Sequence, residues 1–264
     1  SSSTLFYFRE WPSGSINSIN DGLLTEEKPD DTSDKDEYTV DYSTTSGTKT
    51  RWTDGRGMDF GYTDMSVNDR KALTYTTSPL ETDMEVTGHP IVTLWVSSSA
   101  SDGDFFVYLE EVDEKGCSYY LTEGVLKASH RKLSLPPFKY MGLPYHRSYA
   151  EDIEPIPEGE PVELVFDLHP TSNIFDAGHS IRITVTCADQ NNYDTPELFP
   201  APVVTVYKNS TYASCISLPV ISEQAEIEMK DLNFLVIVVA ILGLVLVVIF
   251  LTMYMKSRRE KARQ

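Results

Sequence analysis

The residues most suggestive of catalysis lie in the stretch DAGHSIRITV, residues 176–185. Gly178, His179 and Ser180 match the first part of the Gly-x-Ser-x-Gly nucleophile elbow, in which a sharp strand-to-helix turn exposes a reactive serine. Arg182 stands where that elbow requires its second glycine, and the residues that follow alternate as a strand does. We therefore expect Ser180 to begin a strand after a left-handed turn at Gly178, and not to act as a nucleophile.

No other group of residues supplies a catalytic or metal-binding pattern. Gly-x-Ser-x-Gly is absent from the whole sequence, and no two of the five histidines have the spacing of metal ligands. Asp30, Asp31, Asp34 and Asp36 form an acidic run without the glycine and closing glutamate of an EF-hand loop, so a solvated loop is favoured over a cation site. We predict no catalytic residue, no metal and no cofactor in this chain.

The cysteines and one sequon give limited information. Cys117, Cys187 and Cys215 cannot all pair within the chain, and none belongs to a C-x-x-C unit, so neither a zinc site nor a dithiol redox centre is indicated. One disulfide remains open, and its pairing is not assigned. The triplet beginning at Asn209 makes this residue a candidate for N-glycosylation on an extracytoplasmic face.

A long apolar stretch predicts one transmembrane helix. It begins at Leu232 and ends at Met255, and its 24 residues carry no charge. At about 1.5 Å per residue such a helix is about 36 Å long, which is enough to cross a hydrocarbon layer of about 30 Å. A buried core helix is the alternative, but core helices are rarely apolar on every face over this length. The lipid bilayer is thus a predicted partner of residues 232–255.

The charges around this stretch predict its orientation. Residues 256–264 carry five basic residues and one acidic residue, whereas residues 222–231 are net acidic. The positive-inside rule then places the tail in the cytoplasm and residues 1–231 outside.

The whole chain has 22 Lys and Arg against 40 Asp and Glu, a net charge of −18. Because such an acidic chain repels a phosphate backbone, we expect no nucleic-acid partner.

Strand patterns dominate the region between residues 71 and 221. Residues 1–70 are largely polar and rich in turn formers, and are predicted to be an extended arm and long loops with short strands. Strand-like runs follow at residues 90–98, 104–112, 123–131, 161–168, 180–187, 202–208 and 215–221. Several of them alternate with one apolar face, which is typical of an antiparallel β-sandwich. The predicted order of segments ends with a linker at residues 222–231, the membrane helix and the tail.

Because the chain starts without a methionine or a signal segment, we expect a fragment or a processed product.

Spaced motifs along this region resemble the C-terminal domain of the X-Pro dipeptidyl-peptidase and cocaine-esterase-like (CocE/NonD) hydrolases. The matches in the first half are YTTSPL (75–80), EVTG (85–88), SDGDF (101–105) and LTEGVLKASHR (121–131), with Lys115 in place of the usual turn aspartate. The second half of the resemblance rests on two longer stretches, GEPVELVFDLHPTSNIFDAGHSIRITVTCAD and PAPVVTVYKNSTYASCISLPVI. The resemblance covers roughly residues 5–221.

The resemblance implies a fold and a partner. The implied fold is all-β, a jelly-roll β-sandwich with long N-terminal loops, to which the sequence adds one C-terminal transmembrane α-helix. Family members carry their serine, aspartate and histidine in an α/β-hydrolase domain on the N-terminal side, and we expect no counterpart of it in this chain. The implied partner is such a catalytic domain or chain, packed on the jelly roll. His179 is implied to be a hydrogen-bonded structural residue at the start of a strand.

The loop at residues 47–69 is the part expected to face a substrate cleft. Arg51, Trp52 and Tyr62 could form a cationic and aromatic wall there. The alternative, which we favour for Trp52, is packing at the domain interface or over the sandwich.

Two functions remain at this point. The first is the membrane-anchored C-terminal portion of a serine hydrolase, which stabilises the catalytic domain and shapes its cleft. The second is a non-enzymatic, membrane-tethered β-sandwich that acts as a binding module or as a subunit of a membrane complex. An associated α/β-hydrolase half would favour the first.

Overall fold

The protein was analysed as a computed structural model that describes residues 2–50, 61 and 63–221. One compact unit comprises Ser2–Val220. Its described residues form thirteen strands, a four-residue helix α1 (Ser66–Asp69) and 3₁₀ turns at Ala128–His130 and Ala150–Asp152. The strands are β1 (Ser2–Arg9), β2 (Gly22–Thr25), β3 (Lys35–Thr39), β4 (Leu73–Thr76), β5 (Met84–Gly88), β6 (Ile91–Ser98), β7 (Asp104–Val112), β8 (Ser118–Lys127), β9 (Val162–Asp167), β10 (Thr171–Phe175), β11 (Ser180–Thr186), β12 (Val203–Tyr207) and β13 (Cys215–Val220).

The strands form a continuous sheet that packs around one core. Its order is β3-β12-β6-β13-β1-β2-β4-β11-β7-β8, while β9 pairs with β6 and β5 pairs with both β10 and β13. The pairings are antiparallel except for a two-residue parallel contact between β2 and β4. Buried side chains of β6, such as Val92 and Leu94, and of β7, such as Val107 and Leu109, belong to the same apolar cluster. The two halves of the sheet therefore share a core, and the prediction of an all-β fold is confirmed for the residues that the structure describes.

Alternating side chains explain how the strands contribute to this core. In β9, Val162, Leu164 and Phe166 are buried, as their alternation predicts. In β11, Ile181 and Ile183 join the core, but Arg182 and Thr184, which point to the opposite face, are buried as well. The outer face of the layer β4-β11-β7-β8 is consequently covered by other parts of the chain.

The segment predicted as an arm with loops contributes three strands to the sheet. β1 pairs with β13 from Ser2 opposite Val220 to Tyr7 opposite Cys215, and β3 pairs with β12. Phe8 of β1 stacks on Tyr75 of β4 with ring centroids 4.0 Å apart. The sheet thus extends into residues 1–70, while the domain boundary at residue 70 stays a prediction.

One predicted strand is displaced along the sequence. The run at residues 123–131 was expected to form a strand, whereas β8 spans Ser118–Lys127. The carboxylate of Asp102 accepts hydrogen bonds from the Ser129 backbone N–H at 2.9 Å and from the Ser129 hydroxyl at 2.8 Å. These bonds hold the chain in a 3₁₀ turn after Lys127, so the strand ends there.

Gly124→Ala is expected to destabilise the sandwich by about 1–3 kcal/mol, the range for overpacking a filled interior. A Cβ atom on Gly124 would lie 2.7 Å from the Asp167 carbonyl oxygen and 3.1 Å from the Leu168 Cα. Both are backbone atoms, so β8 would have to move away from the end of β9. Urea unfolding measures the change. Gly103→Ala is the matched control, because its Cβ would meet its nearest atom at 3.9 Å. Equal losses for the two variants would contradict the prediction.

The predicted transmembrane helix, together with the linker at residues 222–231 and the tail at residues 256–264, lies outside the described residues. Among the residues that are described, no helix has the length and apolar character needed to cross a bilayer. The helix at residues 232–255 and the orientation of the chain therefore stay predictions.

Candidate functional site

The outer face of the layer β4-β11-β7-β8 is polar, yet it is buried. Arg182 of β11 lies opposite Thr76 of β4 and Glu110 of β7, so these three side chains project from the same face. Two segments that include the ends of the predicted cleft loop, residues 41–50 and 63–70, make hydrogen bonds over this face together with residues 189–193. We call these two segments the loop arms.

Arg182 is the centre of a buried charged cluster. Its Nη1 donates to Asp69 Oδ2 at 2.9 Å, and the side chains of both residues are fully buried. Its Nε donates to Thr76 Oγ1 at 3.0 Å, and its Nη2 donates to Ser15 Oγ at 2.9 Å. Asp69 is the last residue of α1, so this ion pair fixes the second loop arm to the sheet.

Glu110 adds a second carboxyl group to this cluster. Its Oε2 accepts the Ser118 hydroxyl at 2.6 Å, whereas its Oε1 has no hydrogen-bond partner among the described residues. Burial raises the pKa of Glu110 well above its usual value, the charge of Asp69 raises it further, and Arg182 opposes both. Burial also raises the pKa of Asp69, again against Arg182. Two carboxyl groups therefore lie near one guanidinium, and the protonated form of Glu110 is favoured relative to an exposed glutamate.

Glu110→Gln is expected to make the protein at least as stable as the parent at pH 7, with a flatter dependence of stability on pH. A carboxyl group whose pKa is higher in the folded state binds more protons there, so its contribution falls as pH rises above the ordinary value of 4.5. Glutamine keeps the shape and removes this titration. Urea unfolding from pH 5 upward measures both effects. A variant less stable than the parent at pH 7 would show that the glutamate is held as a favourable anion.

Asp189 fixes the first loop arm. This residue is 1% exposed, and its Oδ2 accepts the Ser46 hydroxyl at 2.5 Å and the Tyr108 hydroxyl at 3.1 Å. Its Oδ1 accepts the Thr45 hydroxyl and an amide N–H of Asn192, each at 3.0 Å. One carboxylate thus joins the arm at residues 45–46 to β7 and to the chain after β11.

Apolar and backbone contacts complete the attachment of the second arm. Met65, Phe106, Tyr108 and Tyr120 form a small buried cluster beside the main core. The Met65 N–H donates to the Ser118 carbonyl at 2.7 Å, and the Tyr120 N–H donates to the Thr63 carbonyl at 3.1 Å. Residues 63–65 therefore continue the sheet along β8, which is the last strand of its path.

The predicted cleft residues Arg51, Trp52 and Tyr62 lie outside the described residues, so their role stays a prediction. Within the loop, Lys49 and Gly61 lie close together, because the Gly61 N–H donates to the Lys49 carbonyl at 3.3 Å. The residues that hold the loop arms, Asp69, Asp189 and Arg182, were not identified from the sequence. Arg182 and Asp69 are 113 positions apart, and no local pattern reports such a pairing.

Ser180 begins β11, as the sequence predicts, and its residue is 8% exposed. Gly178 has a φ of +87°, which confirms the left-handed turn before the strand. His179 Nδ1 donates to Glu111 Oε1 at 2.9 Å, so its ring is oriented by a carboxylate of β7. Hydrogen bonding to Glu111 raises the pKa of His179 above its usual 6.5. The histidine thus has the structural hydrogen bond that the resemblance implies.

Glu111→Gln is expected to lower the pKa of His179. Because the pKa of His179 is raised in the folded state, its contact with Glu111 stabilises the protein fully below pH 6.5. This stabilisation is lost as the pH rises through the pKa of His179 in the folded protein. Since the ring is 24% exposed, we expect a stability change of less than about 1 kcal/mol. An NMR titration measures the pKa, with the resonance assigned through His179→Gln. Glu114→Gln removes a nearby charge without this hydrogen bond, and an equal shift in that variant would contradict the assignment.

One group of side chains has the composition of a metal site. It consists of Glu111, Asp176 and His179, whose potential metal-ligating atoms all lie within 4.8 Å of one another. The sequence did not identify this group, because its members come from β7 and from the turn before β11. The Glu111 carboxylate accepts hydrogen bonds from the Asn173 amide at 3.2 Å, from the Asp176 N–H at 3.2 Å and from His179. These bonds account for the arrangement without an ion.

Two of the three cysteines, Cys187 and Cys215, have the properties of structural thiols. Cys117, Cys187 and Cys215 are all free, so the disulfide left open by the sequence is not formed. Burial raises the pKa of Cys187 to about 12 and that of Cys215 to about 11. Because the thiolate is the nucleophile and the metal ligand, these two residues are unsuited to either role at neutral pH.

Asn209 lies in the turn between β12 and β13 and is 3% exposed. Its Nδ2, the atom that would carry a glycan, donates to the Asp34 carbonyl at 3.3 Å. Its Oδ1 accepts the N–H groups of Thr211 and Tyr212 at 3.0 and 2.9 Å. Glycosylation stays a prediction, and it would require this turn to open.

The fold and this face define a class of protein. The described part is an all-β domain whose buried polar groups hold loops on a sheet. Ser180 is the first residue of β11, and His179 before it makes a structural hydrogen bond to Glu111. A family model of the X-Pro dipeptidyl-peptidase C-terminal non-catalytic domain matches residues 3–198. The chain belongs to this family.

Relatives place the domain within larger proteins. A putative serine esterase of Mycobacterium bovis (strain ATCC BAA-935 / AF2122/97) is 44% identical over 207 residues, which cover 76% of this chain and 32% of that protein. Cocaine esterase of Rhodococcus sp. (strain MB1 Bresler) is 32% identical over 129 residues, 48% of this chain and 20% of that protein. The chain thus spans about a third or less of the length of these relatives.

A solved structure supports the fold. An α-amino acid ester hydrolase superposes with a TM-score of 0.62 at 20% identity, over 84% of this chain and 36% of that chain. The likeness covers a minor part of that enzyme, as it does in the sequence relatives. The matched family is a non-catalytic domain, so membership does not by itself make this chain an enzyme.

Proposed function

We propose that this chain is the C-terminal, membrane-anchoring portion of a CocE-like serine hydrolase. In this proposal a jelly-roll sandwich stabilises an α/β-hydrolase domain and supplies part of its substrate cleft. The observation that carries it is the match of residues 3–198 to a non-catalytic domain. The 44% identity with a putative serine esterase supports an ester or a related acyl compound as the substrate class.

The cleft contribution is assigned to the loop at residues 47–69, with Arg51, Trp52 and Tyr62 as its candidate cleft residues. The attachment of the loop arms to the sheet supports this assignment. Asp189 and the pair of Asp69 with Arg182 hold both arms by buried, charge-assisted hydrogen bonds. A loop with fixed ends can present side chains to a neighbouring domain in a reproducible position, as a preorganised cleft wall requires.

The anchor in this proposal is residues 232–255, with residues 1–231 outside and the tail at residues 256–264 in the cytoplasm. Its support is the uncharged stretch of 24 residues and the excess of basic residues after it. The tether would hold the sandwich and its catalytic partner at the membrane surface.

The test is to purify the protein from its native membrane without denaturant, treat it with a fluorophosphonate probe and sequence every associated polypeptide. A labelled serine on an associated α/β-hydrolase domain is the expected result. An intact, folded chain with no label and no hydrolase partner would refute the proposal. It would favour the non-enzymatic binding module instead.

The cleft role needs a separate measurement on the active assembly. Trp52→Ala is expected to raise the KM or lower the kcat for ester substrates, while the probe still labels the serine. Ile174→Ala changes an exposed apolar side chain of β10, outside this loop, and is the control. If Trp52→Ala and the parent have equal KM and kcat, Trp52 does not contribute to the cleft.

A further inference from the structure

The loop between β8 and β9 exposes a concentrated set of apolar side chains. Its tip, which we define as residues 133–145, carries Leu133 at 52%, Leu135 at 93%, Phe138 at 54% and Met141 at 79% exposure. Single exposed apolar residues are ordinary on protein surfaces, whereas a contiguous group marks a contact surface. The tip is therefore a candidate for binding something apolar.

The tip is a built structure. The Ser134 N–H donates to the Tyr145 carbonyl at 2.9 Å, which closes its base, and the Leu143 N–H donates to the Tyr140 carbonyl at 2.9 Å. The rings of Phe138, Tyr140 and Tyr145 pack edge to face with centroids 5.6 to 5.8 Å apart. His146 Nε2 donates to the Val165 carbonyl at 2.9 Å, on the edge of β9 that faces away from β6. The apolar side chains are thus held out by an ordered scaffold.

The chemistry of the tip matches a lipid interface. The one charged residue among residues 133–145 is Lys139. The longer segment at residues 127–149 contains five Lys and Arg residues and no Asp or Glu. This segment belongs to a chain with 40 acidic and 22 basic residues. Leu, Phe and Met enter the boundary between headgroups and acyl chains, while Tyr and Lys keep their polar ends among the headgroups. The acid-free tip could approach an anionic surface that repels most of this chain.

The base of the tip is attached near the end of β9, where the last strand of the sheet also finishes. His146, the residue after the tip, donates to the carbonyl of Val165, which lies two residues before the end of β9 at Asp167. Asp167 lies opposite Ile91 of β6, and Ile91 lies opposite Ser217 of β13. The attachment of the tip is therefore close to the level at which β13 ends.

This position limits the distance to a bilayer. Strand β13 ends at Val220, and residues 221–231 precede the predicted membrane helix. At about 3.3 Å per extended residue, these eleven residues reach about 36 Å at most. The proposed anchor would therefore keep the end of β13 within this reach of the bilayer.

We propose that the tip at residues 133–145 inserts into the headgroup and acyl-chain boundary of the bilayer and orients the sandwich on the membrane. Leu135, Phe138 and Met141 are the inserting side chains, and Lys139 contacts lipid phosphate. The proposal rests on the proposed anchor for its proximity to the bilayer. A catalytic domain or a second copy of the chain is the competing occupant.

The test uses the full chain in vesicles of phosphatidylcholine with and without phosphatidylglycerol. Met141→Cys carries an environment-sensitive NBD label, and Phe199→Cys, at another fully exposed apolar position, is the matched control. The unsubstituted chain, labelled in the same way, gives the background from the native cysteines. We expect a blue shift and quenching by brominated lipid at position 141, stronger with phosphatidylglycerol, and neither effect at position 199. Leu135→Asp should reduce the quenching at position 141 without changing the unfolding midpoint.

Flotation after a carbonate wash reports on the anchor separately. A chain that floats while its label at position 141 stays solvent-exposed overturns the tip proposal and leaves the anchor intact. A chain that washes off refutes the anchor, and vesicles added back to it then test the tip alone. A label already shielded in the lipid-free assembly, by the catalytic domain or by a second copy, overturns the proposal in favour of a protein interface. Equal quenching at positions 141 and 199 also overturns it.

Discussion

Arg182→Met is expected to destabilise the protein by about 3–5 kcal/mol, the range for removing one partner of a buried ion pair. Methionine fills much of the same volume but leaves the carboxylate of Asp69 buried without its cation, beside Glu110. The hydrogen bonds to Thr76 and Ser15 are lost as well. Urea unfolding at pH 7 measures the change, because it gives the free energy of unfolding and its slope with denaturant.

Two further variants identify the cause of this loss. Adding Asp69→Asn to Arg182→Met should recover part of the stability, since the orphaned charge is then removed. Lys35→Met breaks an ion pair whose side chains are 48% and 51% exposed, and should change stability by less than about 1 kcal/mol. If the double variant is no more stable than Arg182→Met, lost packing and not the uncompensated charge explains the effect.

The strands could be predicted well where alternation reports burial directly. In β9, the alternation of apolar residues with Glu163 and Asp167 is visible in the sequence and matches the core face. The end of β8 could not be predicted in this way, because the turn at Ser129 depends on Asp102, which is 27 positions earlier. The pairing of β1 with β13 joins Ser2 to Val220, and it too leaves no local signal.

The candidate site was harder to predict because its residues look like surface residues. Arg182 lies between Ile181 and Ile183, and in an isolated alternating strand it would face water. It is buried because Asp69, from a segment without periodic pattern, covers that face. The loop at residues 47–69 was identified through the family resemblance, whereas the side chains that fix its arms are visible only in the structure. Local periodicity describes one strand, and a second layer over the sheet lies beyond it.

Asp189→Ala is expected to destabilise the protein by about 3–5 kcal/mol and to loosen the first loop arm before the core unfolds. The change leaves Ser46 and Tyr108 without their acceptor in a buried position. A buried donor that loses its partner costs about 1–3 kcal/mol, and hydrogen bonds to a charged acceptor are among the stronger ones. The free energy of unfolding is measured in urea.

Limited proteolysis separates the local effect from the global one. Lys49, Arg51 and Arg56 are trypsin sites in or beside the cleft loop. Asp189→Ala should accelerate cleavage there at urea concentrations where the circular dichroism of the sandwich is unchanged, because the arm at residues 45–46 opens first. Asp189→Asn keeps one carbonyl acceptor and should lose less stability and show slower cleavage than the alanine variant. Asp113→Ala, which removes an acceptor from the exposed turn before β8, is the control for losing an aspartate elsewhere.

The same variant connects stability to the proposed cleft. If the loop forms part of a substrate wall, loosening its arm in the active assembly should raise the KM for esters while the serine still reacts with a fluorophosphonate. Cleavage that accelerates without any change in KM would mean that Asp189 stabilises a covering over the sheet and nothing more. Unchanged cleavage and unchanged stability would show that Ser46 and Tyr108 find other partners, and that Asp189 does not hold the arm.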